Sequence, residues 1–187
     1  MNAGTGAGAG PGAAAVPPRR LVVLRHAKSA WPEGVADHER PLGARGRRDA
    51  PAAGRALAQG GWVPDLALCS TAVRARLTWE LAGAEWGGRP PVRYEPRLYA
   101  ADRHDLLAVV RETPADVGTL LLVGHNPGLQ ELVLALAGVG PDDTLERVRV
   151  KFPTSAIAVL DWSGPGWADL APGRARLTAT AVPRGTR

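Results

Sequence analysis

The sequence predicts an α/β fold, a three-layer α/β/α sandwich with a mainly parallel central sheet, on two observations. Short unbroken apolar runs at residues 21–24, 66–69 and 119–123 have the length and composition of strands covered on both faces. Between them lie stretches of helical composition, and strands alternating with helices build a parallel sheet with helices on both sides. Ahead of the first run, residues 1–18 form a Gly/Ala/Pro-rich tract with too little apolar surface to offset the entropy of ordering. It is expected to be a disordered tail, leaving residues 19–187 as a single domain.

The first strand, Leu21-Val22-Val23-Leu24, is followed by a polar loop. Residues 44–59, rich in Ala, Arg and Leu, read as a helix stopped by Gly60-Gly61, although Pro51 asks for a kink or a later start. Leu66 to Cys69 is a second buried strand, and the pattern then predicts a helix over 71–84 with Ser70 or Thr71 as N-cap. Residues 92–94 make a weaker third strand and 102–111 a helix. The apolar run at 119–123 leads through a loop to a helix over 127–137, with Pro127 in its first turn. Residues 156–162 alternate and are rich in β-branched types, and 176–182 supply one more strand. No internal repeat is present.

Composition narrows the function. The formal charge is +5 with a pI near 10.3, and Lys28 and Lys151 are the only lysines, so the positive charge is nearly all guanidinium. Arginine forks onto phosphate oxygens, which suits an anionic substrate or nucleic acid. Cys69 is the sole cysteine, and His26, His38, His104 and His125 lack zinc-ligand spacing, so neither a disulfide framework nor a metal site is expected. No charged n-region precedes an apolar h-region, and no apolar run approaches the roughly 18 residues of a membrane span. A reducing, cytoplasmic location is the simplest expectation.

Three strand ends carry residues suited to phosphoryl transfer: Arg25-His26, the segment Ser70 to Arg74, and Gly124-His125-Asn126. Ligands of open α/β sheets bind at the carboxyl ends of strands. A transferring phosphoryl group spreads charge over three oxygens, which the N–H groups of Arg25, Arg74 and His125 can stabilise. A neutral imidazole held by an acceptor on one nitrogen offers the other as a nucleophile, and His26 is the candidate. Arg74 falls in the first turn of its helix, where the macrodipole disfavours a cation; a bound anion would compensate for that placement, and so would a nearby carboxylate. Other phosphatase chemistries fail on spacing. Four residues separate Cys69 from Arg74 where a cysteine phosphatase loop needs five, and there is no Walker loop.

The blocks Leu24 to Trp31, Arg40-Pro41-Leu42 with Gly46, Ser70 to Thr78, Val123 to Pro127 and Phe152 to Ala158 resemble, in order, those of the histidine phosphatase superfamily. The likeness is greatest to its short SixA-like phosphohistidine phosphatase branch. The resemblance implies a nucleophilic His26, a phosphate pocket of Arg25, Arg74 and His125, an α/β/α sandwich and no metal. Ala27 departs from the wider superfamily, where glycine commonly follows the nucleophile, and narrows the subgroup.

Expelling an alkoxide benefits from a general acid; Glu95, Asp102, Asp37 and Glu39 are the carboxylates to consider. A phosphohistidine leaves without creating an alkoxide and relaxes that need. The segment 83–102 is too short for a cap subdomain, which favours a phosphorylated protein as partner. Lys28, Ser29 and Arg40 are expected to help bind substrate. Trp31 either lines the entrance or packs on the scaffold, and Arg40, Arg45, Arg47 and Arg48 form either a field for an acidic partner or a solvated helix face. Small phosphomonoesters, or a non-catalytic module binding phosphate or nucleic acid, are the alternatives.

Overall fold

The computed structural model describes residues 18–140 and 143–186, so all of the expected tail but Pro18 lies outside the described residues. Strands β1 (Arg19–Arg25), β2 (Leu66–Cys69), β3 (Val92–Tyr94), β4 (Thr119–Gly124), β5 (Ala137–Val139), β6 (Ile157–Trp162) and β7 (Ala175–Ala181) form one sheet in the order β3-β2-β4-β1-β6-β7-β5. Only β6 runs against the rest. Helices α1 (Ala44–Gln59) and α2 (Val73–Gly83) cover one face, and α3 (Arg103–Arg111), α4 (Gly128–Leu136) and α5 (Thr144–Val150) the other.

The central strand shows why its sequence is continuously apolar. Leu21 and Val23 of β1 pack into the layer under α3, α4 and α5, while Val22 and Leu24 pack into the layer with Ala53 and Leu57 of α1 and Trp79 of α2. All four are buried, so neither face leaves a place for a polar residue.

Helix α1 has the expected bounds, with Pro51 inside it. Its stop is Gly61, whose φ of +66° an L side chain rarely adopts, while Gly60 remains right-handed. At its start Gly46 lies so close to the loop after β1 that a Cβ would come within 2.1 Å of the Lys28 carbonyl oxygen. That loop is also bonded to the chain before α1 by Gly43 N–H to Lys28 O and Ala30 N–H to Pro41 O.

Several boundaries differ from expectation. Helix α2 starts at Val73, after Ala72, and neither Ser70 nor Thr71 caps it; the hydroxyl of Ser70 is engaged by His125 instead. Pro127 precedes the first turn of α4 rather than lying in it. Strand β5 and helix α5 were not foreseen.

Register fixes the site. Arg25 pairs with Gly124 across β1 and β4, and Cys69 with Val123 across β2 and β4, so the three parallel strands end level. The antiparallel β6 begins at that same edge, Ile157 opposite Leu24, and delivers the preceding loop from Phe152 to Ala156 there.

Candidate active site

His26 follows β1 and is held from several sides. Its backbone N–H donates to Gly124 O at 3.0 Å, Ser155 N–H donates to both Arg25 O and His26 O, and Ala27 N–H donates to the Thr78 hydroxyl at 3.0 Å. That hydroxyl in turn donates to Arg74 O, joining the loop to α2. The ring is 7 % exposed and its Nδ1 lies 2.8 Å from Ala27 O. A carbonyl oxygen only accepts, so Nδ1 carries the proton and Nε2 keeps its lone pair. Burial lowers the ring's pKa to about 3; the bond to Ala27 opposes this, and His125, Arg74 and Arg25 reinforce it. Near pH 7 the imidazole is neutral.

His125, at the end of β4, stands with its ring centroid 5.0 Å from that of His26. Its Nε2 meets Ser70 Oγ at 2.8 Å, whereas Nδ1 is buried without a protein partner. Burial and, next, the charge of Arg74 lower its pKa to about 4, with Asp37 pulling the other way. Arg25 donates from Nη1 to Phe152 O at 2.8 Å, and its buried Nε likewise lacks a protein partner. Two unpaired nitrogens on strand ends that finish level suit a bound anion.

Arg74 lies in the first turn of α2, which contains no acidic residue. Asp37, from the short 3-10 turn Asp37–Glu39, answers that placement. Its backbone oxygen accepts from Arg74 Nη1 and its Oδ2 from Arg74 Nη2 at 2.9 Å. The same carboxylate accepts from Arg40 Nη1 at 2.7 Å and Tyr99 Oη at 2.8 Å. The bonds from Tyr99 and Arg40, followed by that from Arg74, hold Asp37 well below the usual carboxylate range. It stays ionised and cannot serve as a proton donor near neutrality.

The other proposed acids are committed elsewhere. Glu95 accepts Arg97 Nε at 3.0 Å and Nη2 at 2.8 Å, and the Arg97 bonds lower its pKa. Asp102 caps α3 in a reciprocal arrangement with Asp105. Glu39 meets the Nδ1 of His38 at 2.7 Å. Cys69 is buried and burial pushes its thiol upward, away from nucleophilic use.

Arg25, His26, Arg74 and His125 border one cavity of about 170 Å³, together with Lys28, Ser29 and Arg40. Sequence reasoning placed all seven near substrate and left Trp31 undecided; Trp31 lines the cavity and is 74 % exposed. Asn126 and Thr154 line it too, and no role had been given to either, although both fall within the quoted blocks. The arginine cluster divides: Arg40 is buried in the site, Arg45 reaches the Thr154 hydroxyl at 3.3 Å, and Arg47 and Arg48 are exposed on α1. Among the described residues, no group of three or more His, Cys, Asp or Glu side chains is placed to hold a metal ion, and no helix is long and apolar enough to cross a membrane.

Comparison with known proteins places this arrangement in a family. The family model described as histidine phosphatase superfamily (branch 1) matches residues 21–106. An uncharacterized Mycobacterium tuberculosis protein is 45 % identical over 163 residues, covering 86 % of this chain and all of the relative. A solved structure from Nakamurella multipartitia, described as a candidate phosphohistidine phosphatase SixA, is 34 % identical with a TM-score of 0.80, covering 91 % of this chain and 99 % of the other. Its counterpart from Agrobacterium tumefaciens, described in the same way, is 32 % identical with a TM-score of 0.75, covering 89 % and 99 %. With these likenesses spanning the sheet and every strand end of the cavity, the chain belongs to the histidine phosphatase superfamily and is SixA-like within it.

Proposed function

We propose that this phosphatase removes the phosphoryl group from a phosphohistidine displayed on a protein, carrying it transiently on His26. One observation carries the reading: a neutral imidazole with its Nδ1–H fixed on Ala27 O and its Nε2 free, at a cavity with unpaired nitrogens of Arg25 and His125. In this mechanism Nε2 attacks phosphorus and forms the new P–N bond as the bond to the substrate's ring nitrogen breaks. The electron pair goes to the departing imidazole, which leaves neutral because its other nitrogen already holds a proton from solvent. Arg25, Arg74 and His125 take the oxygens of the group in flight. Water then attacks phosphorus, restores His26 and yields inorganic phosphate.

Two features favour this substrate class over small phosphomonoesters. The cavity, about 170 Å³, is below the roughly 300–1,000 Å³ of sites that enclose a whole small molecule. It suits a phosphoryl group presented from a protein surface. In addition, Asp37, Glu39, Glu95 and Asp102 are each bound to other groups, which matters little when the leaving group is an imidazole. The SixA names of the two bacterial neighbours agree with the reading, and a lone buried cysteine accords with a reducing, cytoplasmic setting.

The test is a brief exposure to radiolabelled phosphohistidine protein followed by an alkaline quench. The expected result is an acid-labile, base-stable label on His26, absent from His26→Ala, with turnover far faster than on a panel of sugar and nucleotide phosphates. Faster turnover of the small esters would overturn the substrate assignment; absence of any label under conditions of rapid turnover would overturn the covalent step.

A further inference from the structure

The largest exposed apolar side chain among the described residues is Trp31, and it stands at the cavity rather than on an unrelated surface. Its indole is not loose. The guanidinium carbon of Arg40 lies over one face, 3.1 Å from the ring centroid. Arg40 is itself fixed on three sides: Nε donates to Ala30 O at 3.0 Å, Nη1 to Asp37 Oδ1 at 2.7 Å and Nη2 to the hydroxyl of Ser29. A buried arginine bonded through each of its three nitrogens therefore backs one face of an aromatic ring, while most of the indole remains open to solvent at the cavity rim.

Exposing an indole costs hydrophobic free energy, and a ring held in place from behind is prepared to stack with little further loss of entropy. Trp31 lines the same cavity of about 170 Å³ as Arg25, His26, Arg74 and His125, so a group that bears a phosphoryl seated among those four side chains comes close to the indole. A planar ring carrying a proton is attracted to an indole face both by stacking and by the ring quadrupole. The positive charge of Arg40 on the opposite face would oppose a second cation, but the Asp37 carboxylate 2.7 Å from Nη1 offsets it.

We infer that Trp31 is a specificity-determining residue whose free face stacks on the imidazole ring bearing the phosphoryl group. This rests on the phosphohistidine reading above. It selects a planar, protonatable leaving group over an alkyl one, and it favours the ring form that already holds the proton needed for departure. Arg40 acts through Trp31 as its support. Because the stack exists before and during transfer, its loss is read mainly in KM.

The experiment compares wild type with Trp31→Ala and Trp31→Phe on phosphoimidazole, a phosphohistidine peptide and glycerol phosphate, with inorganic phosphate as a competitive inhibitor. Trp31→Ala is expected to raise KM about tenfold for phosphoimidazole and for the peptide alike. The ratio of kcat/KM on phosphoimidazole to that on glycerol phosphate should fall by a similar factor. Trp31→Phe should restore most of the loss, and the inhibition constant of phosphate should move less than twofold. An unchanged KM for phosphoimidazole overturns the inference, and if the peptide alone suffers, Trp31 contacts the protein around the phosphohistidine instead of the ring. Failure of the underlying reading is separately visible: wild type would then hydrolyse glycerol phosphate and neither P–N substrate.

Discussion

At the scale of single residues, the cavity gathers several cations whose directions must be set by the carboxylate and carbonyl oxygens around them. Arg74 illustrates the solution. Its guanidinium is fixed through Nη1 and Nη2 by Asp37, so it is oriented before any phosphate arrives. Arg74→Ala removes a preorganised donor, and kcat/KM should drop about 10²- to 10³-fold in steady-state assays. Arg74→Lys should recover little of that, since an ammonium cannot use both acceptors of Asp37 as a planar fork does. A loss under tenfold would remove Arg74 from the transfer step. The sequence made His26, Arg25, Arg74 and His125 legible because each lies on or just beyond an apolar strand or in the helix that follows. The organising role of Asp37 was not legible. Its partners Arg74 and Tyr99 lie 37 and 62 residues away in sequence, and nothing local distinguishes such a carboxylate from a general acid.

At the scale of elements, strands with continuous apolar runs and the long alanine-rich helix were readable because burial on two faces, or on one helical stripe, leaves a composition signature. Strand β5 has three residues, an irregular pairing with β7 alone and no buried member, and it follows α4 without a turn. Helix α5 buries only Val148. Neither carries a periodicity to detect. Conversely, Ser70 is not the cap because α2 begins only at Val73, after Ala72; its hydroxyl meets His125 Nε2 at 2.8 Å and accepts the Ala72 N–H at 3.4 Å, and sequence cannot choose between such partners. The packing of α1 against the His26 loop gives a sharper expectation. A methyl group on residue 46 would overlap the Lys28 carbonyl, two residues from His26. Gly46→Ala should therefore destabilise the fold by about 1–3 kcal/mol, as other overpacked contacts do. It should also lower kcat/KM by more than tenfold, because a shift of about 1 Å in a reacting group is costly. Calorimetry and steady-state kinetics on the one variant measure both, and an unaltered melting temperature would mean that the helix yields instead.

At the scale of the whole molecule, the fold class and the order of the chemical blocks were legible, while the placement of β6 against β1 was not, since alternation within 156–162 says nothing about direction or neighbour. That placement brings the Phe152 carbonyl to Arg25 and, with the level ends of β1, β2 and β4, gathers the buried His26 ring and the partly buried His125 ring in one small region beside two guanidinium groups. The concentration has a global consequence for stability. In the folded protein His26 and His125 titrate near 3 and 4, below the ordinary value of 6.5 that the unfolded chain retains. Between those limits the unfolded state holds protons that the folded state lacks, and stability must rise with pH there. The contribution is complete above about pH 6.5 and is lost as the pH falls toward 4, with a limiting slope of about 1.4 kcal/mol per pH unit for each ring. Urea denaturation at pH 7, 6 and 5, in buffers free of phosphate so that no anion favours the folded state, should show a progressive loss of unfolding free energy. His26→Asn should make that loss shallower by removing one of the two titrating rings. A stability that is level from pH 7 to pH 5 in the parent protein would mean that both rings accept protons as readily when folded as when unfolded, and the proposal of a neutral His26 nucleophile would lose its physical basis.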